Sequence, residues 1–230
     1  MISLKNEANT MIAEAIGTFA LVLFGCSAII INELHSNIIT HLGISLVFGI
    51  IVMAVIYSVG NISGAHLNPA VTIGFLIAKR IKISKAIVYI LAQLVGALTA
   101  SFILKLGFPE STTLGATIPK VSWLFACIFE VILTFFLMFV ILNVSTGHME
   151  KGIMAGVAVG GTVFISALVG GPITGASMNP ARSIGPAIFS LHITHLEIYI
   201  IAPILGAILA SPFCKIIQGD ECCDNNKIID

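Results

Sequence analysis

The chain has 230 residues, 57% of them hydrophobic and only 10% charged; its 11 basic and 11 acidic residues cancel, and mean hydropathy is +1.07. This balance excludes an ordinary soluble domain and leaves no basic excess for nucleic acid. It fits a polytopic helical membrane protein, in which long apolar runs satisfy their backbone internally.

The polar start, Met1 to Thr10, does not read as a cleaved signal peptide, because the apolar run behind it is long enough to span. Six runs approach the ~20 residues that a crossing needs: 8–31, 40–59, 86–106, 122–144, 152–170 and 197–217. Two shorter apolar stretches, 69–78 and 180–189, follow the phrases Asn68-Pro69-Ala70 and Asn179-Pro180-Ala181. Asn caps a helix and Pro suits its first turn, so each phrase starts a helix that reaches only half way across. Small residues at four-residue spacing (Gly152, Gly156 and Gly160; Gly96 and Ala100; Gly206 and Ala210) mark close helix packing.

Basic residues set the orientation. Lys5, Lys79, Arg80, Lys82, Lys85, Lys151, Lys215 and Lys227 fall on one side, and Lys105, Lys120 and Arg182 on the other. Both termini are therefore expected in the cytoplasm, with residues 218–230 as a tail. Cys26, Cys127 and Cys214 lie in apolar runs and read as packing residues, and no disulfide framework is expected; Cys222 and Cys223 sit in the tail.

The segment around Glu14 (Ala13 to Phe19) resembles that around Glu130 (Phe129 to Phe135), and an Asn-Pro-Ala phrase follows each at a similar distance. Two repeats are expected, 8–107 and 122–217, inside one membrane domain. Each has an odd number of spans, so the second must be inverted, an architecture associated with sites at the bilayer midplane. The half-helices then enter from opposite faces and their positive N-terminal ends meet, repelling cations. The Asn68 and Asn179 amides would donate to a passing oxygen, which suits water or a small neutral hydroxylated solute and disfavours a continuous proton wire.

With these features the chain resembles the aquaporin (major intrinsic protein) family over nearly its whole length. The run from Gly170 to Met178 is closest to the nodulin-26-like branch and its microbial, aquaglyceroporin-type relatives. The resemblance implies an all-α fold of six spans and two re-entrant half-helices, and a homotetramer with one pore per subunit. It gives Arg182 a place in the outer constriction, completed by Phe48, Ala167 and Ala176. Strict water channels usually have histidine where this chain has Ala167, and glycerol facilitators usually place two aromatics where only Phe48 is present. A wider, more apolar filter is implied, passing water with glycerol, ammonia or metalloid hydroxides; a water-only channel is the alternative. Ser183, Ala187 and Tyr199 resemble water channels, whereas Ile200 does not.

The resemblance also implies a ladder of backbone acceptors from Gly64, Ala65, His66, Gly175, Ala176 and Ser177, with His66 bracing its loop. Val52 and Val163, one turn from Phe48 and Ala167, supply an apolar wall. Glu14 and Glu130 brace the loop of their own repeat; a proton relay is the competing reading, but no chain of further acids accompanies them. An ion-coupled transporter would need such a pathway. A purely adhesive protein would make Arg182 and both asparagines dispensable. No nucleophile–base pair or metal-ligand cluster suggests an enzyme, and no cofactor is expected; His192 and His195 suggest at most a weak surface metal contact.

Overall fold

The computed structural model describes residues 2–145 and 149–219. Among them are eight helices: α1 (Ile2–Leu34), α2 (Thr40–Ser63), α3 (Pro69–Ile77), α4 (Ile83–Gly107), α5 (Trp123–Val144), α6 (Met149–Thr174), α7 (Pro180–Ser190) and α8 (Leu196–Gln218). Six are long and apolar enough to cross a membrane; α3 and α7, with 9 and 11 residues, are not.

The packing repeats. α1 lies along α4 as α5 lies along α8, and α2 crosses α6 between the two pairs. α3 also touches α8, and α7 touches α4, so each short helix is held partly by the other half of the chain. The backbones approach at small residues. A Cβ at Gly96 would strike the Ala15 carbonyl, and one at Gly206 the Val131 carbonyl. At the central crossing a Cβ on Gly49 would lie 2.7 Å from the Gly160 carbonyl oxygen, and one on Gly160 2.6 Å from that of Gly49. Large apolar side chains such as Ile50, Leu91, Phe136 and Ile165 cover the outside, as a lipid-facing surface requires.

The two boundaries that lead into the loops differ from the sequence reading. α2 runs past residue 59 to Ser63 and stops where Gly64 turns left-handed (φ 86°), its N–H bonding back to the Gly60 carbonyl. α6 runs past residue 170, through Pro172, to Thr174. Proline has no N–H for the carbonyl four residues back; here that carbonyl, on Leu168, accepts instead from His41 Nε2 at 2.7 Å. Cys26 and Cys127 are free thiols, but Cys214 is disulfide-bonded, against the expectation for it. The Cys222–Cys223 pair lies outside the described residues.

Candidate functional site: a lumen between two half-helices

α3 and α7 begin as the sequence requires. Asn68 and Asn179 are extended, and their side-chain oxygens accept from the amides of Ala70 (2.8 Å) and of Ala181 and Arg182 (3.0 and 3.3 Å). Pro69 and Pro180 occupy the first helical positions. These prolines, with Ala70 and Ala181, are buried and border neither of the two cavities described below; they serve the helix starts.

Each asparagine also reaches across. Asn68 Nδ2 donates to the Met178 carbonyl at 2.7 Å, and Asn179 Nδ2 to the Leu67 carbonyl at 2.9 Å. A primary amide has two N–H groups, so one of each pair straps the opposite loop and the other is not used in the strap. The sequence reading gives the amides to a passing oxygen and does not show the cross-strap.

The loops preceding the helices share one backbone pattern. Gly64, Ala65 and Leu67 have positive φ (86°, 48°, 56°), as do Gly175, Ala176 and Met178 (88°, 43°, 53°). Four of these six are not glycine, and they hold costly conformations. A buried carboxylate anchors each loop. Glu14 accepts from Ser63 Oγ, the His66 and Leu67 amides and Gln93 Nε2, at 2.7–2.8 Å. Glu130 accepts from Thr174 Oγ1 (2.6 Å) and from the Ser177 and Met178 amides, both at 2.9 Å. Tyr89 and Tyr199 donate to the carbonyls of Ser63 (2.8 Å) and Thr174 (2.6 Å). His66 bonds Thr72 Oγ1 at 3.1 Å and stacks on Phe75, with ring centroids 4.4 Å apart.

Two cavities meet inside the bundle. The main one (volume ≈ 120 Å³) is lined by Asn68, Asn179, Gly64, Ala65, His66, Ser177, Val52 and Val163, among others. The second is a roomier vestibule (≈ 360 Å³) reached by Glu33, His41, Thr113, Lys120 and Gly175. Four residues border both: Phe48, Ala167, Ala176 and Arg182. The junction is therefore the quartet assigned to the constriction from the sequence.

Arg182 is 2% exposed. Its Nη1 donates to the Gly115 carbonyl (2.8 Å) and to Cys26 Sγ (3.6 Å), and its Cζ lies 5.1 Å from the centre of the Phe48 ring. Its Nε is buried and has no partner among the described residues. Sequence reasoning missed Gly115 and Cys26, which carry no local signal for this contact. It also missed Gln93 and Tyr89; the near-equal spacing of Tyr89 and Tyr199 after their asparagines was a signal within reach. No group of three His, Cys, Asp or Glu residues suited to a metal occurs among the described residues. His192 turns to the Ser190 carbonyl, and His195 lies 3.6 Å from Glu197.

The family model for "Major intrinsic protein" matches residues 1–213. The chain belongs to the major intrinsic protein family. It is 43% identical over 209 residues to Nodulin-26 from Glycine max, covering 90% of this chain and 77% of that protein. It is 46% identical over 201 residues to a putative aquaporin, NIP4-1, from Arabidopsis thaliana, covering 86% and 70%. Among solved structures, the aquaglyceroporin from Plasmodium falciparum superposes with a TM-score of 0.81 at 27% identity, over 92% of this chain and 97% of that one. Major intrinsic proteins are channels, and the all-helical fold with its two half-helices is that of the aquaglyceroporin.

Proposed function

We propose that the protein is a passive channel for water and small neutral solutes, glycerol foremost and ammonia or metalloid hydroxides with it. The observation that carries this reading is the meeting of two cavities at Phe48, Ala167, Ala176 and Arg182. A solute crossing from vestibule to main cavity passes one aromatic face, two methyl groups and one guanidinium. The guanidinium repels cations and donates to hydroxyl oxygens; the apolar side accepts a carbon backbone. Beyond it, the free N–H groups of Asn68 and Asn179 and the positive ends of α3 and α7 hold a water's oxygen toward the protein and work against proton passage. Gly64, Ala65, His66, Gly175 and Ser177 supply acceptors along the way, and Val52 and Val163 the opposite, apolar wall. Glu14 and Glu130 act as braces, because their oxygens are occupied by loop donors.

The same reading makes 8–107 and 122–217 the two repeats and 218–230 a tail. It puts the protein in the cell membrane as a homotetramer, both termini cytoplasmic and the vestibule outside. It assigns no enzymatic activity, cofactor or nucleic-acid partner.

Proteoliposome flux tests it. Wild-type protein is expected to raise water, glycerol and ammonia permeability without saturation or ion dependence. Ala167→His is expected to lower glycerol flux more than water flux. Passage of water alone would replace this reading with the water-only channel; saturable, ion-dependent uptake would replace it with a transporter.

A further inference from the structure

The Phe48 ring needs something behind it. One face turns to the junction of the two cavities, under the Arg182 guanidinium. Another side rests on the α1 backbone at Gly25. A Cβ built on Gly25 would lie within 2.7 Å of three ring atoms, Cδ1, Cε1 and Cζ. Non-bonded carbon atoms at optimal separation stand ≈ 3.5–4.0 Å apart, so any side chain at this position displaces the ring.

The direction of displacement is fixed by what cannot move. α2 cannot withdraw, because the residue after Phe48 is Gly49, pressed against the Gly160 carbonyl at the α2–α6 crossing. α1 cannot withdraw, because Ala15 is seated on Gly96 of α4, and Cys26, beside Gly25, is packed against Gly115 and holds Arg182. Both backbones are fixed on the sides away from the lumen. The ring already borders two cavities, and these offer it empty volume.

We propose that Gly25 sets the aperture of the channel: the missing side chain lets the Phe48 ring lie back against α1, and this retraction gives room for a solute of polyol size. Gly25 touches no solute; it is a positioning residue that acts through Phe48. This inference rests on the channel reading above and extends it to a residue that borders neither cavity.

Gly25→Ala, reconstituted beside wild type, Phe48→Leu and Gly25→Ala/Phe48→Leu, tests it. Glycerol flux per incorporated protein is expected to fall at least ~10-fold in Gly25→Ala, the scale of one methylene in a fitted pocket, while water flux falls by a smaller factor. The double variant is expected to regain the glycerol flux of Phe48→Leu alone, because no ring remains to be displaced; a general packing defect would not be rescued. A structure of Gly25→Ala is expected to show the ring moved into the lumen. Unchanged glycerol flux in Gly25→Ala, or an equal fall in both fluxes without rescue, overturns the proposal. Where Gly25→Ala fails to incorporate, Phe48→Leu decides: glycerol flux that does not rise relative to water overturns it. Wild-type protein that passes no glycerol defeats the permeant reading instead. The aperture is then read on water, which Gly25→Ala must lower and the added Phe48→Leu restore; failure of either overturns the proposal.

Discussion

In the first loop Glu14 serves four donors and a histidine ring stacks on Phe75; in the second Glu130 serves three, and hydroxyls replace the rings. Ser177 stands where His66 does, one residue before the strapping carbonyl. Its hydroxyl pairs with Ser183 Oγ at 2.6 Å, which also accepts from Thr117 at 2.8 Å. Gln93 joins Glu14 to Thr72, whereas Pro203 holds the matching place four residues after Tyr199. The connection between α4 and α5 bonds the helices that flank the second loop: Thr117 donates to Ser183 and the Gly115 carbonyl accepts from Arg182, both in α7, and the Lys120 amide donates to the Ile173 carbonyl of α6 at 2.9 Å. What the loops share (carboxylate, tyrosine, left-handed turns, asparagine) holds an irregular backbone at membrane depth. What they do not share is fitted to their neighbours. The first sets the His66 ring against Phe75 and Tyr89, and the second stands beside the buried Arg182.

The shared parts are expected to cost most when removed. Glu14→Ala orphans the His66 and Leu67 amides together with Ser63 and Gln93. At ~1–3 kcal/mol for each of these four buried groups left unpaired, the loss is roughly 4–12 kcal/mol, measured as thermal unfolding in detergent. Glu130→Ala is expected to cost less, by about one such group; an equal or larger loss would break the comparison. Asn68→Ala and Asn179→Ala each remove a cap (~0.5–2 kcal/mol) and a cross-strap (~0.5–1.5 kcal/mol). Their effects are expected to be similar, with Asn179→Ala the larger because its oxygen caps two amides and that of Asn68 one.

The unshared parts sharpen the contrast. Gln93→Leu is expected to cost about 1–2 kcal/mol and to speed hydrogen exchange at His66 and Leu67, leaving Ser177 and Met178 unchanged. Ser183→Ala is expected to do the converse at about 0.5–1.5 kcal/mol, the smallest effect of the set. Exchange spreading to both loops in either variant would mean that the straps couple them more tightly than the side chains separate them.

The architecture was legible because each part of it leaves a one-dimensional trace. Apolar length marks a span, Asn-Pro-Ala marks a helix start, and paired glutamates mark a repeat. The boundaries at Ser63 and Thr174 were not, because they depend on a left-handed turn at Gly64 and on His41 taking the Leu168 carbonyl 127 residues away. The quartet at the junction was readable through the family, since its side chains differ between branches. Gly25, Cys26 and Gly115 were not, because they act by closeness or through a backbone carbonyl, and no residue type announces either. The Leu67 and Met178 carbonyls were invisible for the same reason: any residue would offer the same oxygen.

The reciprocal straps also order the assembly of the protein in time. Asn68 waits for a carbonyl 110 positions later in the chain, and Leu67 for an amide 112 positions later. At roughly 5–20 residues per second of synthesis, the first loop stands unlatched for about 5–22 s after it leaves the ribosome. Its strained turns must meanwhile be kept by Glu14, Tyr89 and Gln93, all encoded before the second half begins. The richer bracing of the earlier loop is what a chain needs when one half must hold its shape alone until the other arrives.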